Sequence, residues 1–341
     1  MQMRDDLGIT TKLENGKAYL EFALPEKIGR LLSALQIEIW EEAEGGRLVF
    51  HGEYSSEEAD FMTALLLRPH LWDGMRDPYV YLVKAQGRFR SVEYGEKMGG
   101  MEKEEKLDPA EDITGEVEMY WRQELTIYDV RVVEKKGILL NEKEFLPHEV
   151  VYRLPPQISD AGTRVEQVRR DLERLVRMGV NAIRLEGTGS GAERQNCYEV
   201  RAFYRLCRRG GFLTGDLWIR PENLPVYRGL PGETTCQALL AADGRTLTER
   251  YYYYQAKWSS EPVLYPVLST LHRQENGLLS LTIYSNQKKV VLYVDGLLFL
   301  FQTAASGDPE FIFEDIPVEK LPLHLAVEAG NLSISLTVTK L

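Results

Sequence analysis

Four residues of this chain stand where a parallel α/β arrangement places its binding groups. Arg184 and Glu186 close the run Val180-Asn181-Ala182-Ile183-Arg184-Leu185-Glu186, and Asp216 and Trp218 fall in the run Phe212 to Ile219. Both runs read as strands of one parallel sheet, and the C-terminal ends of such strands carry the sites of barrel enzymes. Carboxylate and guanidinium groups placed there hydrogen-bond hydroxyls, and an indole stacks on a ring. The chemistry on offer is recognition of a hydroxyl-rich ligand. Solvated at a bare sheet edge, the same side chains bind nothing.

Other chemistries find less support. The histidines His51, His70, His148, His272 and His324 are scattered, without the paired spacing of a zinc site. Gly187 to Ala192 nominally fits a dinucleotide-binding loop, with Asp216 further on as the ribose acid. Its strand already follows a helix, however, and Glu193-Arg194-Gln195 separates the glycines from the next helix, so no cofactor and no metal are expected. Cys197 and Cys207 share a predicted helix, which holds them about 15 Å apart, too far for a disulfide. With Cys236 they read as reduced structural thiols of a cytoplasmic protein.

The elements that position these residues change in kind along the chain. Residues 1–133 read as β: Ala18 to Phe22 and Leu35 to Trp40 alternate apolar with polar side chains, and Tyr79 to Ala85 is a core strand. An immunoglobulin-like β-sandwich is expected there. Within it, about 94–118, charge dominates, and a mobile acidic insertion is expected. Across 134–220 the period becomes helical. Thr163 and Glu166 form a capping box, and Val165, Val168, Leu172, Leu175 and Val176 recur on one face. Gly179 then supplies a left-handed stop. A second helix, Asn196 to Arg209, buries Val200, Phe203, Tyr204 and Cys207 and ends at Gly210-Gly211. Residues 221–250 read as a linker. Residues 251–341 return to β in Leu278 to Tyr284, Lys289 to Val294, Phe299 to Thr303 and Leu332 to Thr339, with Tyr251 to Tyr254 taken as strand. That is a C-terminal immunoglobulin-like β-sandwich.

Composition bounds the rest. With 44% hydrophobic and 27% charged residues the chain reads as globular, and its net charge of -11 argues against nucleic acid or an anionic membrane as partner. Neither a secretory leader nor an apolar run of roughly 20 residues is expected from the sequence.

Several segments in order resemble glycoside hydrolase family 2, the β-galactosidase and β-glucuronidase type. They are Pro69 to Gly74 with Asp77 to Tyr81, Gly137 to Phe145, Asp171 to Arg184, Phe203 to Leu213, Tyr253 to Leu264, and Ile283 to Gly296. The resemblance implies sandwiches flanking a (β/α)8 barrel that holds two catalytic glutamates, as retaining hydrolysis requires. Only three barrel strands and two helices are read between Gly137 and Ile219. Since each βα unit needs roughly 30 residues, a truncated (β/α) barrel remnant is expected. The family's site positions have also changed: its histidine after the first strand falls near Arg153, a second histidine falls on Gly187, and a glutamate falls on Leu217, while Asp216 keeps an aspartate. The lone Asn-Glu dipeptide, Asn141-Glu142, falls in a hairpin upstream of the barrel.

No catalytic residue is therefore assigned. The expectation is a non-catalytic, family 2-like pseudoenzyme with a carbohydrate-binding or scaffold role, carbohydrate contacts being sought at Arg184, Glu186, Asp216 and Trp218. The alternative is a degenerate form or subunit of a β-galactosidase-type glycosidase working with a full-length partner chain. The unpaired edge of a partial barrel predicts a homo-oligomer, or a compact monomer in which the sandwiches cover the open side.

Overall fold

A computed structural model describes residues 7–41, 46–58, 62–92, 113–134, 136–154, 161–186, 197–214, 224–229, 238–305 and 307–340. The chain divides into two units, Met1–Phe145 and Leu146–Leu341.

In the first unit, strands β1 (Gly8–Glu14), β2 (Lys17–Ala23), β3 (Leu32–Glu41), β4 (Leu48–Ser55), β5 (Met62–Leu67), β6 (Tyr81–Val92) and β7 (Ile113–Leu125) form two antiparallel sheets, with a single turn of helix α1 (Glu26–Gly29) between β2 and β3. Their orders are β1-β2-β5 and β4-β3-β6-β7. Alternation explains the layering. Ala18, Leu20 and Phe22 of β2 and Met62, Ala64 and Leu66 of β5 point inward, meeting Leu35, Ile37 and Ile39 of β3 and Val83 and Ala85 of β6 in one core. The region about 94–118 divides: 113–118 begin β7, and the remainder lies outside the described residues. A small sheet of β8 (Val130–Val133), β9 (Gly137–Leu140) and β10 (Lys143–Phe145) follows. It places the unit boundary after 145 and not after 133, because β9 pairs back onto β8. Asn141 and Glu142 both have positive φ, 49° and 68°, and make the two-residue turn between β9 and β10.

In the second unit, β11 (Glu149–Tyr152), α2 (Ala161–Met178), β12 (Ala182–Leu185), α3 (Cys197–Arg209), β13 (Leu213–Thr214), β14 (Val226–Arg228) and β15 (Ala238–Leu240) build a parallel sheet of five strands in the order β13-β12-β11-β14-β15. The expectation of three strands and a linker over 221–250 is thus corrected, for β14 and β15 lie within that stretch. They are too short for periodicity to betray them. Helix α2 begins at Ala161, so Thr163 and Glu166 lie inside it and do not cap it. Its buried face holds Val168, Leu172, Leu175 and Met178, whereas Val176 is exposed.

Helix α4 (Glu249–Trp258) replaces the strand expected at Tyr251 to Tyr254. Tertiary contacts override the strand preference of tyrosine. Tyr251 enters the core of the parallel sheet, while Tyr252 stacks on Tyr265 and Tyr253 meets Tyr284 edge-on. Beyond it, β16 (Leu264–Arg273), β17 (Leu279–Ser285), β18 (Lys289–Val294), β19 (Leu297–Thr303), β20 (Glu310–Ile316), β21 (Leu323–Ala329) and β22 (Leu332–Val338) form sheets β16-β17-β20 and β19-β18-β21-β22 around a third core. Strand for strand, this is the order of the first sandwich.

Candidate functional site

The order of the parallel sheet reverses between β11 and β14, and the crevice beyond the strand ends at such a point is where open α/β sheets bind ligands. Arg153, immediately after β11, occupies it. The Glu186 amide donates to the Tyr152 carbonyl at 2.9 Å, which sets the Glu186 carboxylate beside Arg153. The guanidinium grips that carboxylate as a fork, Nε to Oε2 and Nη2 to Oε1 at 3.2 Å, while Nη1 donates to the Arg228 carbonyl at 3.2 Å. One side chain thereby ties the ends of β11, β12 and β14 together. Glu186 is 44% exposed and Arg153 18%.

Arg184 is elsewhere. Side chains alternate along a strand, so Arg184 points to the sheet face opposite to Ile183 and Leu185, which pack with the helices. There its Nε donates to Oε1 of the fully buried Glu149 at 3.1 Å. The two predicted contact residues of β12 thus hold different partners: Arg184 meets Glu149 at the start of β11, and Glu186 meets Arg153 just past its end. Asp216 and Trp218 lie outside the described residues, as do Gly187 to Ala192 and Leu217.

The most elaborate polar cluster lies on the helix side of the sheet. Asp171 of α2 accepts from the Tyr152 hydroxyl at 2.9 Å and Arg228 Nη2 at 2.7 Å on one oxygen. Its other oxygen accepts from the Tyr227 hydroxyl at 3.0 Å and Arg174 Nη1 at 3.5 Å. Burial, reinforced by the Asp171 charge, pushes the Tyr152 phenol well above its ordinary range and raises that of Tyr227 too. Both hydroxyls stay protonated and act as fixed donors. Every lone-pair direction of this carboxylate is occupied, which makes it a joint between α2, β11 and β14 and leaves nothing to offer a ligand. Only Asp171 had a place in the sequence reading, as part of a motif. Arg228 and Tyr227 had no sequence pattern to mark them, because their partner is far away along the chain.

The Asn181 side chain accepts from the His148 amide at 2.7 Å and donates to the Leu146 carbonyl at 2.9 Å. His148 stacks on Trp258, and its Nδ1 lies 2.9 Å from the Gly179 carbonyl. Burial lowers its pKa, so the neutral ring donates to that carbonyl. Trp72 is buried, and its carbonyl receives the Asn141 amide at 2.9 Å. Cys207 is buried in the α3 core, where burial pushes its thiol up and away from reactivity. Among the described residues no three His, Cys, Asp or Glu side chains are grouped to hold a metal, and no helix is long and apolar enough to cross a membrane.

Solved structures place this architecture. The chain superimposes on an FMN-binding β-glucuronidase from Faecalibacterium prausnitzii L2-6 with a TM-score of 0.64 at 13% identity, covering 98% of this chain and 73% of that one. It matches a family 2 glycosyl hydrolase from Bacteroides cellulosilyticus with a TM-score of 0.59 at 13% identity, covering 98% of this chain and 63% of that one. The fold is that of glycoside hydrolase family 2. A β-glucuronidase from Parabacteroides merdae agrees, with a TM-score of 0.61 at 10% identity over 98% of this chain and 63% of its own. The chain thus spans between 63% and 73% of the length of these family 2 structures. No family model matches the sequence, and no curated protein does.

Proposed function

We propose that the chain is a non-catalytic protein on the family 2 glycosidase framework, its parallel sheet serving as a scaffold and not as a hydrolytic centre. On this reading the two sandwiches are immunoglobulin-like modules. The parallel sheet is an incomplete (β/α) barrel: β14 takes the slot beside β11 that the last strand of a closed ring would fill, yet β15 steps outward from it.

One observation carries the proposal. The carboxylates described on the sheet strands and just past them, Glu149 and Glu186, and the buried carboxylate of α2, Asp171, are each committed to an arginine. A retaining hydrolase needs two carboxylates about 5–5.5 Å apart, one free to attack and one holding a proton. An arginine bound to a carboxylate occupies lone pairs that attack on a substrate would need. The test is release of nitrophenol from nitrophenyl β-galactoside and β-glucuronide by the purified chain. We expect no release above the blank, and no difference for Glu186→Gln. Turnover that Glu186→Gln removes would end the proposal.

Weak carbohydrate binding is the second reading, favoured by the partial exposure of the Arg153–Glu186 pair at the switch point. A thermal-shift panel of free sugars and uronic acids separates the two. A shift abolished by Arg153→Ala supports binding, and a flat panel supports the scaffold.

A further inference from the structure

Asparagine precedes glycine twice in this chain, at Asn15-Gly16 and Asn276-Gly277, and each pair lies in a hairpin turn. The first joins β1 to β2 in one sandwich, and the second joins β16 to β17 in the other. Glycine after asparagine lets the carboxamide close on the following main-chain amide, because no Cβ shields that nitrogen. The product is a five-membered imide. The two turns differ in whether they permit it.

At the second turn the reacting groups are held apart. Asn276 Nδ2 donates to Asp315 Oδ1 at 3.0 Å, and Asn276 Oδ1 accepts from the Leu278 amide at 3.0 Å. The Gly277 amide, whose nitrogen would attack, donates to the Gln274 carbonyl at 2.9 Å, and the Gly277 carbonyl accepts from Arg273 Nε at 2.9 Å. At the first turn Asn15 and Gly16 are exposed, with φ of 50° and 71°, both in the left-handed region. Among the described residues no hydrogen bond engages the Asn15 carboxamide or the Gly16 amide. Only the Gly16 carbonyl is tied across to β5, accepting from the Arg68 amide at 3.0 Å. A Cβ built on Gly16 would meet nothing within 4 Å, so the carboxamide has room to fold over and water has room to follow. Strand β1 is the outer strand of its sheet, which leaves one arm of the turn without a neighbour to hold it.

We propose that Asn15 is a modification site, converting to aspartate and isoaspartate by deamidation in the folded protein, while Asn276 is protected. Hydroxide removes the Gly16 amide proton, and the nitrogen attacks Asn15 Cγ. The N–Cγ bond forms, the Cγ–Nδ2 bond breaks, and ammonia leaves after taking a proton from water, which regenerates hydroxide. A second water then opens the imide. Addition at Cγ gives aspartate, and addition at the Asn15 main-chain carbonyl carbon gives isoaspartate. Per conversion one water is consumed and one ammonia released. The tip gains a negative charge beside Glu14, and isoaspartate adds a methylene to the main chain, which loosens the Arg68 bond to Gly16.

The test incubates the folded full chain at mildly alkaline pH and follows each asparagine separately, by peptide mass and by enzymatic methylation of isoaspartate. Conversion at Asn15 should rise with pH and run at least roughly tenfold faster than at Asn276, which must first break its hydrogen bonds. In the urea-unfolded chain the two should convert at comparable rates, since a glutamate precedes both pairs. Asp315→Gly tolerates the φ of 56° at that position and removes the acceptor of Asn276, so it should speed conversion at Asn276 and leave Asn15 unchanged. Equal rates at the two sites in the folded chain overturn the proposal, as does an Asn15 that converts only after unfolding.

Discussion

At the scale of single residues, burial decides what a charge is for. Asp171 and Glu186 both pair with arginine, but Asp171 is 1% exposed against 44% for Glu186. Asp171→Asn leaves Arg228 buried without its counter-charge and turns an amide donor toward fixed donors. Urea unfolding of the second unit should show a loss of about 3–5 kcal/mol. For Glu186→Gln the loss should be below about 1 kcal/mol, since an exposed pair is largely screened. Equal losses would mean that the Asp171 cluster is not the joint described. His148 gives a pH dependence with a definite sign. Burial depresses its pKa, so the folded state binds the proton less readily than the unfolded chain. Its contribution is complete above about pH 6.5 and is lost as pH falls through the folded value. His148→Asn retains an amide donor for the Gly179 carbonyl and has no proton to gain. Between about pH 7 and pH 5 its urea midpoint should fall less steeply than that of the parent, and coincident slopes would refute the assignment.

At the scale of elements, the stops were more legible than the short strands. Helix α2 ends in a Schellman motif: the Gly179 amide reaches the Val176 carbonyl, and the Val180 amide reaches the Leu175 carbonyl at 3.0 Å. Helix α3 repeats it through Gly211 and Phe212, and the glycines in the sequence marked both ends. Gly179 has a second duty that no sequence pattern announces. Its φ is +87°, and a Cβ there would lie 2.4 Å from the backbone oxygen of Trp258 at the end of α4. Gly179→Ala should therefore cost roughly 2–4 kcal/mol by chemical denaturation. Gly137→Ala, at φ +77° with nothing within 4 Å, should cost only about 1 kcal/mol. The long alternating strands, α2, α3 and the hairpin turns could be read because their cause is local. Strands β14 and β15 could not, since three residues hold no period and their buried setting comes from β11 beside them. The tyrosines of α4 were misread because their setting comes from tertiary contacts, with Tyr265 and Tyr284 beside them. The pairing of Arg184 with Glu149 and of Glu186 with Arg153 was not legible, because it depends on the register of β12 against β11.

At the scale of the whole molecule, the cores set which parts unfold together. Each unit has cores of its own, and the second unit has two: one around the parallel sheet and one inside the C-terminal sandwich. Helix α4 couples them. Tyr251 sits in the first of these cores, Tyr252 and Tyr253 contact Tyr265 and Tyr284 of the sandwich, and Glu249 binds Ser269 through its amide at 3.1 Å and its hydroxyl at 2.6 Å. Asn286 adds a second tie, with its side chain bonded to Val263, Ser259 and Glu261 just beyond the helix. A cavity opened in the sandwich should therefore weaken the parallel sheet as well. Phe313 is fully buried in the sandwich core, and Phe313→Ala should cost about 3–5 kcal/mol. Hydrogen exchange followed by segment should show faster exchange in β17 and β20, and also in β11, α2 and β12, while β2, β3 and β6 keep their parent rates. The reverse control is Ile37→Ala, which should speed β2, β3 and β6 alone. If Phe313→Ala leaves α2 at its parent rate, the α4 contacts are surface apposition and the C-terminal sandwich folds independently of the sheet.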